Sequence, residues 1–147
     1  MARVKNARSV INNLSKDITK KAQKALVRNA QTIENEIIIT MLTGSSPVRG
    51  KRWKQYSKAY ADRFKKGFRK PVNMKLSGEM LDSLEVKRKG RGISIAFNSP
   101  IAVFHDKLGA GKSRIIRRLL PVFSKGETFK SNILNLIIRI AKKGILS

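Results

Sequence analysis

Residues Leu84 to Asn98, LEVKRKGRGISIAFN, hold two short runs in which every second residue is apolar: Leu84 and Val86, then Ile93, Ile95 and Phe97. Period two puts those side chains on one face of a strand, and Gly90, Arg91 and Gly92 between the runs supply the turn, so the stretch predicts a β-hairpin with one buried face. Just upstream, Leu76 to Leu84 reads as a short helical turn leading into the first strand, and Val72 to Lys75 as extended chain. Downstream, Pro100 starts a short element over Ile101 to Leu108, followed by a glycine-rich loop at Gly109 to Gly111. Ile115 to Phe123 is expected to form a further strand, with Pro121 favouring an edge or a strand end.

Helical patterns flank this sheet region. From Ser9 to Leu42 the apolar positions Ile11, Leu14, Ile18, Ala22, Ala25, Leu26, Ala30, Ile33, Ile37 and Met41 recur every three or four residues, one stripe of a helix, with Gly44 at the left-handed position that ends it. At about 1.5 Å per residue such a helix would reach about 50 Å, long for so small a domain, which places a break or bend near Asn29. At the other end, Ser124 and Glu127 have the spacing of a capping box. They would open a helix whose buried stripe is Phe129, Ile133, Leu136, Ile137 and Ile140, closed by Gly144. The expected fold class is α+β: a long N-terminal helix and a C-terminal helix packed on a small antiparallel β-sheet, with a basic loop/helix insertion. A length of 147 residues fits a single domain, divided into an N-terminal helix (1–44), a basic aromatic insertion (45–75), the hairpin and sheet region (76–123) and a C-terminal helix (124–147).

Charge separates core from surface. Lys and Arg total 33 against 9 Asp and Glu, a net charge of +24. It is spread as +5 over residues 1–46, +10 over 47–76, +1 over 77–108 and +8 over 109–147, so the hairpin region is scaffold. Such self-repulsion calls for a polyanion or an acidic partner. A hydrophobic content of 41% still suffices to fold the chain. With no Cys and a single His, thiolate sites, disulfides and multi-His metal clusters are excluded, and no cofactor is expected. No apolar run is long enough to span a bilayer, and residues 1–16 are basic without a signal-peptide core.

Three catalytic motifs are approached and missed. A phosphate-binding loop ending in Gly111, Lys112 and Ser113 would need Gly where the chain has Asp106, so a flexible basic loop is the simpler reading. Glu85 and Lys87 match half of a metal-dependent nuclease site, but the separate upstream Asp is missing, Asp82 being only three residues away, and Glu79, Asp82 and Glu85 are expected to offset basic charge on a solvated face. His105 beside Asp106 resembles a base and its orienting acid, yet adjacent side chains seldom face each other, and a packed histidine is the plainer account. The chain is therefore expected to be no enzyme.

From Arg49 to Lys75, five aromatics (Trp53, Tyr56, Tyr60, Phe64, Phe68) alternate with eleven basic residues. The spacing fits the buried face of an amphipathic helix, and it also fits stacking on bases beside phosphate contacts. Either way the cations are offered to a partner. The candidate DNA or neighbour-protein contacts are Arg49, Lys51, Arg52, Lys54, Lys58, Arg63, Lys65, Lys66, Arg69 and Lys70, with Lys112 and Arg114 in the glycine-rich loop. Binding to a nucleic-acid backbone would be independent of sequence and weakened by salt.

Four segments resemble the tailed-phage virion morphogenesis proteins, the tail-completion or head-to-tail connector (neck) family. They are Gly50 to Trp53 with Tyr56, Leu76 to Leu84, Ile101 to Gly109, and Arg117 to Pro121. The third is similar to that family's Y-A-x-x-H-x-x-G element. The resemblance implies a non-enzymatic virion subunit made in the host cytoplasm. It would form a homo-oligomeric ring of six or twelve copies, joining portal and adaptor proteins to the tail around the DNA channel. The alternative is a stand-alone, sequence-independent nucleic-acid-binding protein.

Overall fold

The first helix, α1 (Ala2–Arg28), yields to a second, α2 (Ala30–Leu42), at Asn29, where the backbone leaves helical geometry (φ −102°, ψ 22°). The Asn29 side chain donates to the Ala25 carbonyl at 2.8 Å, competing with the helical ladder, which is why the expected break falls there. The computed structural model describes residues 2–70, 72, 78–109 and 114–147, with side chains from Leu14 onward. Expectations for Asn73 to Ser77, including the start of the turn at Leu76, and for the loop tip at Ala110 to Ser113 with Lys112, lie outside the described residues.

Along α2, Ile33, Ile37, Thr40 and Met41 are buried, one stripe at helical spacing. Thr43 and Gly44 end the helix as expected. Gly44 takes φ 88° and donates to Met41 O at 2.9 Å while Ser45 N reaches Thr40 O at 3.2 Å, which satisfies two terminal carbonyls. Next, Val48 bridges Phe129: Arg49 N donates to Thr128 O (2.9 Å) and Lys130 N to Pro47 O (2.7 Å). After a short helix α3 (Lys58–Phe64) and a turn of helix α4 (Glu79–Asp82) comes the hairpin, β1 (Leu84–Lys89) and β2 (Gly92–Phe97).

The strands are antiparallel, with Leu84 opposite Phe97, Val86 opposite Ile95 and Arg88 opposite Ile93. Leu84 and Val86 are buried and Ile93, Ile95 and Phe97 are partly buried against the same core, so the expected faces are correct. Glu34 of α2 accepts from Val86 N at 2.9 Å and thereby covers the outer edge of β1. The chain then makes a helical turn, α5 (Ile101–Val103), that widens into a π-turn over Phe104–Leu108. A final helix, α6 (Ser131–Leu146), packs along α1 and α2. Ile33, Ile37, Met41, Leu119 and Ile133 are fully buried and form the centre of the core. The α+β architecture is thus as expected, with a two-stranded sheet among the described residues.

Five local expectations are corrected. Among the described residues Ile115 to Phe123 forms no strand, with only Ile115 in a bridge position. Arg117 N instead donates to His105 O (2.7 Å) and Leu119 N to the Asp106 carboxylate (2.8 Å), so a turn and an acid replace a sheet edge. Ser124 lies in a 3-10 turn (Phe123–Lys125), and α6 begins only at Ser131 because Glu127 is drawn back to Val122 N (2.9 Å) and Arg118. Gly144 does not end that helix. It stands where a Cβ would overlap the Ala25 Cβ, and it lets α1 and α6 approach.

The aromatic helix is confined to Lys58–Phe64. Ser57 is extended and caps it through Tyr60 N (3.2 Å), while Trp53 to Tyr56 stays non-helical because its carbonyls serve Arg117. Leu14 and Ile18, assigned to the buried stripe, are 55% and 47% exposed, since their part of α1 extends beyond the packed core.

Candidate functional site

Two neighbouring arginines hold the segment that carries most of the candidate residues, through Trp53, Lys54 and Gln55. Arg118 donates through Nε to Asp106 Oδ1 (3.0 Å), through Nη1 to Glu127 Oε2 (2.9 Å) and through Nη2 to Leu120 O (2.9 Å). Its own carbonyl accepts from the Ser46 hydroxyl (2.7 Å) and the Trp53 indole (2.8 Å). A single residue therefore ties together the loop after α2, the π-turn and the segment before α6. Glu127 is held below the ordinary carboxylate range by the Val122 N–H first and then by Arg118, with burial opposing.

Arg117 is 5% exposed. It faces no carboxylate. Its Nε donates to Lys54 O (2.9 Å), its Nη2 to Gln55 O (3.0 Å), and its guanidinium lies 5.3 Å from the centre of the Tyr56 ring. Carbonyl dipoles and a π-face thus replace a counter-anion, while burial pulls the guanidinium pKa down. Tyr56 continues into a ladder of rings, 4.8 Å to Tyr60 and from there 5.1 Å to Phe64. Tyr56 is buried, Tyr60 half-buried and Phe64 exposed, so the ladder is core at one end and surface at the other. The buried-face reading holds for Tyr56, and the stacking reading retains only Phe64 and the exposed Phe68.

Arg49, Lys51, Arg52, Lys54, Lys58, Arg63, Lys66, Arg69, Lys70 and Arg114 are exposed, as an interface requires. Several also have structural duties. Lys51 lies 3.9 Å from Glu127, Arg63 stacks 5.0 Å from the Phe64 ring, and Arg69 donates to Tyr56 O at 2.9 Å. Lys65 is half-buried, with its ammonium 5.4 Å from the Tyr56 ring and its pKa lowered by burial. Arg114 follows Gly109 closely in space: a Cβ on Gly109 would collide with the Arg114 backbone, which pinches the base of the basic loop.

Of the three approached motifs, the Glu85–Lys87 and His105–Asp106 pairs fall on described residues, and the loop ending in Gly111, Lys112 and Ser113 lies outside them. Lys87 pairs with Glu85 across one strand face, and that ammonium keeps the Glu85 carboxyl below its usual range. Among the described residues no group of three or more acids and histidines could hold a metal. Asp106 serves Arg118 and Leu119, so it does not orient His105, whose Nδ1 is buried without a hydrogen-bond partner. Burial and then the Arg117 cation lower the His105 pKa.

Two surface features escaped the sequence reading. One is an apolar band: Ile101, Phe104 and Leu108, spaced along one side of the α5 and π-turn, are each exposed, with Ile116 exposed on the adjoining segment. The spacing was legible, but the π-turn that turns it outward was not. The other is a cationic furrow between α1 and α6. No described helix is long and apolar enough to cross a membrane. Neither a family model, nor a curated protein, nor a solved structure matches the chain.

Proposed function

We propose that this chain is a non-enzymatic assembly subunit of a tailed-phage virion, a neck or tail-completion ring protein between the portal and adaptor proteins and the tail. The observation that carries the reading is the exposed band of Ile101, Phe104, Leu108 and Ile116. Contiguous exposed apolar surface on a small protein marks a place where another protein sits, and in a closed ring each subunit covers its neighbour. Three of the four segments that resemble the neck family, those at 50–56, 101–109 and 117–121, also support it. They converge on Arg117 and Arg118, beside the same band. In this reading the exposed cations of residues 49–70 meet acidic neighbours or the DNA in the channel.

Sedimentation of the purified chain tests it. The expected outcome is a ring-sized oligomer that Phe104→Glu with Leu108→Glu reduces to monomer. A chain that stays monomeric and is missing from purified particles overturns it. A second reading, a stand-alone sequence-independent nucleic-acid-binding protein, is favoured by the number of exposed cations in residues 49–70, and it requires tight binding by the monomer.

A further inference from the structure

From Lys16 to Arg28 the α1 helix carries its cations on one continuous arc. Lys21, Lys24 and Arg28 line a furrow of about 640 Å³, and Arg139 and Lys143 of α6 form its opposite wall. On the other flank of α1, Lys16 and Lys20 line a second hollow of about 410 Å³ with Arg91 of the hairpin turn. At 100° per residue, Lys16, Lys20, Lys24, Arg28 and Lys21 fall in sequence around less than half of the helix circumference. All are exposed. None takes part in any of the ion pairs found among the described residues, and the one acid on the arc is Asp17.

The packing holds these like charges together. Gly144 allows α6 to lie against Ala25, which fixes the distance between the two walls of the furrow, and Gln23 ties α1 to the hairpin through Gly90 O (2.9 Å) and Gly92 O (2.7 Å). Such a group repels itself unless anions lie along it. From Lys16 to Arg28 the helix rises about 18 Å, long enough to follow several successive phosphates of one strand. Five exposed cations with a single acid among them, faced by Arg139 and Lys143, form a repeating row of positive charge of the kind that neutralises successive phosphates, which favours a phosphate backbone over an acidic protein.

We propose that the outer face of α1, with Arg139 and Lys143 of α6 and Arg91 of the hairpin, is a binding surface for the phosphate backbone of double-stranded nucleic acid. The proposal is independent of the virion reading and of the apolar band, and it assigns the main contact to a surface other than residues 49–70.

The test is binding of a labelled mixed-sequence DNA duplex, followed by fluorescence anisotropy across a salt series, with an RNA duplex as a second arm. The wild-type protein should bind both duplexes, with an affinity that falls steeply as salt rises. Lys21→Gln/Lys24→Gln/Arg28→Gln should lose at least about tenfold in affinity near 0.1 M salt, and its slope should be shallower by about 2 to 3, close to one per lost phosphate contact. Lys107→Gln/Lys125→Gln/Lys130→Gln removes the same charge elsewhere and should stay within about twofold of wild type.

Equal loss in the two variants, or no loss in the first, overturns the proposal. So does a greater loss from Lys58→Gln/Arg63→Gln/Lys66→Gln, or equal competition by polyglutamate. Circular dichroism should show the three variants folded. Sedimentation without nucleic acid reads the oligomer separately, so failure of either proposal is visible on its own.

Discussion

Gly144 of α6 meets Ala25 of α1 with no room for a side chain between them: a Cβ at 144 would overlap the Ala25 Cβ and lie 3.0 Å from the Lys21 carbonyl. Inside a helix, Gly→Ala ordinarily gains about 1 kcal/mol. Here overpacking, at about 1 to 3 kcal/mol, outweighs that gain. Gly144→Ala is therefore expected to lower the thermal midpoint and Gly144→Leu to lower it further, whereas Asn135→Ala, at an exposed position of the same helix, should leave it unchanged or raise it. Thermal melts followed by circular dichroism check the order.

Arg118 holds two carboxylates, and its side chain is 20% exposed against 11% for Asp106 and 14% for Glu127. Arg118→Met leaves Asp106 without its cation and Glu127 with only Lys51 at 3.9 Å, and should destabilise the fold by about 3 kcal/mol. Arg118→Lys restores the charge without the planar fork and should recover only part of the loss. Denaturant titrations at neutral pH measure both.

Acid should act through two groups that begin to lose their contributions at different pH. His105 has a lowered pKa in the fold, so the unfolded chain binds its proton more readily. Its contribution is complete above about pH 6.5 and falls as the pH drops from there toward the lower folded value. Glu127, also lowered, contributes above about pH 4.3 and loses its contribution as the pH falls through its folded value. His105→Leu should remove the loss that starts at about pH 6.5 and leave the carboxylate part, and Glu127→Gln should reduce the carboxylate part, to which Glu85 also contributes, and leave the first. Stability measured against pH separates them.

Gln23 is bonded to both Gly90 O and Gly92 O of the hairpin turn. Gln23→Ala should cost about 1 to 2 kcal/mol. Amide hydrogen exchange should show faster opening at Gly90 and Arg91 than at Val86, whose N–H is secured by Glu34.

What could be read from the sequence was local. Alternation around Gly90 gives the hairpin, the spacing of Ile33, Ile37 and Met41 gives α2, and Asn29 interrupts the helix through a bond four residues away. What escaped was decided at long range. Glu127 has the spacing of a cap, but Arg118 and Val122 compete for it. Residues 53–56 have a helical aromatic spacing, but Arg117 takes the carbonyls of Lys54 and Gln55 from more than sixty positions away. The candidate surface follows the same rule. The exposure of Lys58 or Arg63 could be anticipated from composition, whereas the furrow joining Lys21 to Lys143 exists only because Gly144 brings two distant helices into contact.

That contact also orders events in time. During translation at about 5 to 20 residues per second, roughly ten seconds separate the emergence of Ala25 from that of Gly144, and for that interval α1 has no α6 to rest on. Closure across so long a stretch of chain makes docking of the first helix a late and slow step of folding. A nascent chain stalled before residue 131 should thus present α1 to chaperones and proteases, and release of the stall should hide it.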